Sequence, residues 1–80
     1  MNIYGFTKNR KKTTLRVNQH YFNLAVVAYS FWIDADAAKK HIILLMKQAL
    51  YEEKSSDWVK KEIQEEILIY LTINEIKGEK

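Results

Sequence analysis

Between Gly5 and Gly78 the chain contains no glycine, and it contains no proline anywhere. Glycine and proline are the residues that break regular backbone most strongly. The long stretch between the two glycines therefore favours helices joined by short turns. Length sets a second bound. Eighty residues make one domain at most, and a chain of that size buries little apolar surface on its own. Small domains commonly gain stability from disulfides, a metal or a partner chain. The absence of cysteine excludes disulfides and thiolate metal sites. His20 and His41 have no metal-ligand spacing, so no metal is expected. Association with a second copy is the route that remains, and lack of cysteine agrees with a cytoplasmic setting.

Charge divides the chain unevenly. Residues 1–16 carry Lys8, Arg10, Lys11, Lys12 and Arg16 and no acid, a local charge of +5. Residues 17–80 carry eight basic and ten acidic side chains, a charge of −2. The net +3 thus describes a basic end on a mildly acidic body. Cations gathered at one end suit a polyanionic partner. With 48% apolar residues, the composition is not that of a disordered chain.

The apolar run Tyr21 to Ile33 is 13 residues long, short of the ~20 needed to cross a bilayer. With the basic start and Ala35-Asp36-Ala37 it imitates a secretory signal. Asn23 and Ser30 interrupt the run, however, and Asp34 and Asp36 flank the supposed cleavage point. No membrane association is expected.

Residues 1–11 read as a basic, flexible arm, with Gly5 marking a turn. Lys12 to Val17 is a short strand with β-branched residues and alternating character. Thr13, Leu15 and Val17 share one face; Lys12, Thr14 and Arg16 share the other. Asn18 suits a helix N-cap. A first helix is predicted from about Gln19 to Phe31, with two apolar stripes. Tyr21, Leu24, Ala25, Ala28 and Trp32 form one; Phe22, Val26, Tyr29 and Ile33 form the other. Asp34 caps a second helix running to about Glu53, with Ala38, Ile42, Leu45 and Ala49 inward. After the connector 54–56, with Ser56 as cap, a third helix starts at Asp57. Val59, Ile63, Ile67, Tyr70 and Leu71 form its apolar face. Ile67 to Ile73 is β-prone, but it continues a helical pattern without a turn signal.

A lone strand cannot satisfy its own backbone hydrogen bonds. Pairing with the same strand of a second copy solves this, as a two-stranded antiparallel ribbon across a two-fold axis. Lys12, Thr14 and Arg16 of both copies then project from one face. A ribbon of that width fits the DNA major groove.

The order basic arm, Lys12-Thr13-Thr14-Leu15-Arg16-Val17, Asn18, helix, Ile33-Asp34-Ala35-Asp36, helix resembles the ribbon-helix-helix proteins, the class of the MetJ and Arc repressors. The resemblance covers residues 12–53, leaving 54–80 as connector and extra helix. It implies a mostly α homodimer with one short N-terminal strand, acting as a sequence-specific binder of double-stranded DNA: a transcriptional repressor or accessory factor. It further implies that Lys12, Thr14 and Arg16 read base edges. Lys8, Arg10 and Lys11 would meet phosphates, and backbone amides opening the second helix would hold another, helped by Lys39 and Lys40. Leu15, Val17, Leu24, Ala28, Ile42 and Leu45 would form the dimer core. Two departures stand out: Phe31-Trp32-Ile33 replaces the usual glycine turn, and Asp34 and Asp36 sit where a phosphate would dock.

No catalytic residue or cofactor is expected. Ser30, Ser55 and Ser56 lack a glycine-flanked nucleophile turn, and no phosphate-binding glycine loop occurs. Glu62, Glu65 and Glu66, with Lys60 and Lys61, read as a charged helix face. The alternative function is a protein-interaction module, such as an antitoxin, immunity or inhibitor protein, acting through its helices and above all the C-terminal one.

Overall fold

The structure, a computed structural model, describes the backbone of residues 1–78 and the side chains of residues 1–74. Two strands are followed by three helices: β1 (Asn2–Phe6), β2 (Lys12–Arg16), α1 (Gln19–Tyr29), α2 (Ala35–Tyr51) and α3 (Ser56–Gly78). The chain is thus mostly α, with its sheet at the N-terminus and a third helix beyond the expected pair.

The first strand corrects the expected flexible arm at 1–11. Asn2–Phe6 pairs antiparallel with Lys12–Arg16, placing Asn2 opposite Arg16, Tyr4 opposite Thr14 and Phe6 opposite Lys12. Val17 N–H donates to the Met1 carbonyl at 2.8 Å and the Met1 amino group donates to the Val17 carbonyl at 2.6 Å, extending the ladder by two bonds. The second strand therefore has a partner in its own chain. Its backbone needs no symmetry-related strand, which removes the physical reason for an intermolecular ribbon. Gly5 marks no turn; it lies mid-strand opposite Thr13. The turn is Thr7–Lys11 instead, closed by Thr7 N–H to the Lys11 carbonyl at 2.9 Å and Arg10 N–H to the Thr7 carbonyl at 2.8 Å. Thr7 is buried, and its Oγ1 accepts from the amides of Asn9 and Lys11.

Both predicted caps form. Asn18 Oδ1 accepts from His20 N–H at 2.8 Å and Tyr21 N–H at 3.2 Å, satisfying two free donors of α1. Asp34 Oδ1 accepts from Asp36 N–H at 2.9 Å at the start of α2. The first helix ends two residues before the predicted Phe31, because Trp32 and Ile33 both donate back to the Tyr29 carbonyl. The second ends at Tyr51 rather than Glu53. Its stop is a Schellman arrangement, with Lys54 N–H on the Ala49 carbonyl, Glu53 N–H on the Leu50 carbonyl and Glu53 at φ 57°. The third begins at Ser56, one residue early, and stays helical through Ile67–Ile73.

The centre of the core is one stripe of α2: Ala38, Ile42, Met46 and Ala49, all fully buried. Leu45, expected in that stripe, is only half-buried. Leu15 and Val17 of the sheet side close one end. The buried face of α1 is Phe22, Ala25, Val26 and Tyr29, drawn from both predicted stripes; Leu24 is exposed. Val59 and Ile63 of α3 are buried against the same centre, so the third helix is part of the core.

Candidate nucleic-acid interface

Alternation along two paired strands sorts the hairpin into two faces. Ile3, Gly5, Thr13 and Leu15 turn towards the helices, whereas Asn2, Tyr4, Phe6, Lys12, Thr14 and Arg16 are all exposed. The expected base-contacting residues Lys12, Thr14 and Arg16 are therefore together on one solvent-facing surface. Beside them stand residues the sequence reading missed. Tyr4 is 73% and Phe6 61% exposed. Their signal in the sequence was spacing, since positions 2, 4 and 6 alternate like 12, 14 and 16.

The turn beyond the strands carries Lys8, Arg10 and Lys11, all exposed. It is fastened to the body by Lys8 N–H, which donates to the Tyr51 carbonyl at 2.9 Å, so these cations are held at one end of the hairpin. Arg10 sits at φ 64°, a left-handed conformation that costs a non-glycine residue about 1 kcal/mol. One acid reaches this end: Glu53 Oε2 accepts from Asn9 Nδ2 at 3.3 Å.

Other expected contacts are not brought to this face. Lys39 and Lys40 lie near the start of α2. The hairpin packs near Leu50, eleven residues and about 16 Å along the helix from Lys39. The amide that would hold a phosphate there is already occupied by the Asp34 carboxylate. Of the expected dimer core, Leu15, Val17 and Ile42 are buried inside a single chain. They are spent on its own core and cannot face a second copy.

Leu24 and Ala28 belong to a different surface. Leu24 and Val27 are exposed on α1, Phe31 just beyond its end, and Leu68 and Leu71 on α3. Between them is an open apolar groove of about 450 Å³ lined by Ala28, Phe31, Trp32, Ile67, Leu71 and Asn74. Its floor is stiffened by Trp32 stacked on Tyr70, with ring centroids 5.0 Å apart and planes 10° apart.

His41 is not a free surface residue. Its Nε2 lies 2.6 Å from Glu66 Oε2, joining α2 to α3, and its ring meets the edge of Tyr29. Glu66 is thus drawn out of the predicted charged face. The Tyr29 hydroxyl is buried without a hydrogen-bond partner. Burial, reinforced by the nearby Glu66 charge, pushes its pKa well above the ordinary tyrosine value. Among the described residues no three His, Asp or Glu side chains gather as a metal site, and no helix is long and apolar enough to cross a membrane.

Compared with protein-family models, with curated proteins and with solved structures, the chain matches none, so its resemblance to the ribbon-helix-helix class rests on residue pattern alone.

Proposed function

We propose that this protein binds nucleic acid through the exposed face of the β1–β2 hairpin. The observation that carries this is that one hairpin presents Lys12, Thr14 and Arg16 on its exposed face and Lys8, Arg10 and Lys11 in its turn. Residues 1–16 hold no acid, and Glu53, which reaches the turn, accepts from Asn9. The exposed cations of the turn suit the backbone, contact with which fixes position without reading sequence. Arg16 and Lys12, held on paired strands, suit base edges, where arginine donates two hydrogen bonds to guanine. A hairpin within one chain is itself a two-stranded ribbon, so this role needs no symmetric partner strand. Regulation of transcription follows if binding discriminates between sequences.

A titration of labelled oligonucleotides at several salt concentrations tests this. Lys11→Ala is expected to weaken binding to all sequences alike and to flatten the salt dependence by about one unit per lost phosphate contact. Arg16→Ala is expected to cost about 1–3 kcal/mol at a preferred site and less at a scrambled one. No binding at low salt contradicts the proposal.

A second reading, a module that associates through its helices, is favoured by the α1–α3 groove. The occupant proposed is a second copy of the chain. Phe31 is 79% exposed on the rim of the groove, so a two-fold axis would bring each Phe31 to the other's groove as a self-complementary contact. The melting temperature is then expected to rise with protein concentration and to fall on Phe31→Ser. A concentration-independent melt with a monomeric mass leaves the groove to a different protein.

A further inference from the structure

We infer that the nucleic acid the hairpin takes is single-stranded, with unpaired bases stacked on Tyr4 and Phe6; this rests on the hairpin being the nucleic-acid face. The two rings stand two residues apart on one strand and on one side of the sheet. Their Cα atoms are therefore about 7 Å apart, roughly twice the 3.4 Å repeat of a stacked strand. That leaves room for a base on each ring and for another between them. Phe6 lies directly opposite Lys12. Tyr4 lies opposite Thr14, with Lys12 and Arg16 on its diagonals, within reach of long side chains. Each ring thus has a small or cationic neighbour and no bulky one across the pair. The turn cations Lys8, Arg10 and Lys11 remain for the phosphates of the bound strand.

Chemistry favours the single strand over the duplex. In a duplex the base faces are already stacked on one another, and the major groove offers an aromatic ring little beyond thymine methyls. Unpaired bases offer whole π-faces, which aromatic side chains take with little regard to sequence. Tyr4 and Phe6 are the exposed rings of a surface whose other members are polar or cationic. Aromatic rings interleaved with cations on an open sheet face are what base stacking plus phosphate pairing requires.

The test compares a thymidine oligomer, a uridine oligomer, an abasic strand of the same length and a duplex, together with vesicles containing anionic lipid. Wild-type protein, Tyr4→Ala, Phe6→Ala and the ring-preserving Tyr4→Phe are titrated with each. Both rings are exposed, so folding of the variants is expected and is checked by circular dichroism. The base-bearing strands are expected to bind more tightly than the duplex. Each alanine variant should lose about 5- to 150-fold on them, with affinity for the abasic strand and the salt slope unchanged. Tyr4→Phe should bind like wild type. Duplex binding as tight as single-strand binding, or equal losses on abasic and base-bearing strands, overturns the stacking inference and leaves nucleic-acid binding standing. Binding to vesicles but to no strand overturns both.

Discussion

Leu50 of α2 lies against Gly5 of β1, with its Cδ2 3.4 Å from the point where a β-carbon on Gly5 would stand. This contact seats the hairpin on the helices and turns Tyr4 and Phe6 outward. A methyl group fits at that distance; a branched side chain does not. Gly5→Ala is expected to be near neutral, and Gly5→Val to cost about 1–3 kcal/mol through overpacking. Urea midpoints decide it: equal stability of the two variants contradicts the packing described.

Arg10 sets stability against binding. Its left-handed backbone, φ 64°, suits glycine, so Arg10→Gly is expected to stabilise the fold by about 1 kcal/mol. The same change removes a turn cation and should weaken oligonucleotide binding. A thermal melt and a binding titration on one variant suffice. Loss of both stability and affinity would mean that the arginine side chain holds the turn together.

Tyr29 predicts a response to alkali. With its pKa raised by burial and by Glu66, the folded state keeps the proton that the unfolded state releases. Stability is then full below about pH 10 and declines as the pH climbs further, by about 1.4 kcal/mol per unit from this group. Tyr29→Phe should remove that part of the decline. It should also leave stability at neutral pH equal or higher, because the hydroxyl has no hydrogen-bond partner to lose. Parallel alkaline curves for the two proteins would contradict this.

The sequence displays some of these features more openly than others. Lys12–Arg16 is legible because its polar and apolar residues alternate, and Asn18 and Asp34 because short oxygen-bearing side chains precede helical patterns. Asn2–Phe6 escapes because Tyr4 and Phe6, outward-facing, are large aromatics that read as buried like inward Ile3, and Gly5 on the inner face imitates a turn. The stop of α2 escapes because Glu53 fills a position where glycine is the usual signal. Burial on α1 is misread because two stripes compete, and packing against α2, with a smaller share from α3, selects Phe22, Ala25, Val26 and Tyr29. Likewise the His41–Glu66 pair spans 25 residues that no local pattern connects. For the site, period two places Lys12, Thr14 and Arg16 on one face; pairing with β1, a tertiary event, adds the rings.

The central claim is that the exposed hairpin face is where nucleic acid binds. Amide chemical shifts of isotope-labelled protein, followed as a short single-stranded oligonucleotide is added, test it most directly. The largest changes are expected within residues 2–16, with Tyr4, Phe6, Lys12 and Arg16 among them, and little change at Phe31, Leu68 or Leu71. Changes centred on the α1–α3 groove, or none at any salt concentration, would contradict it.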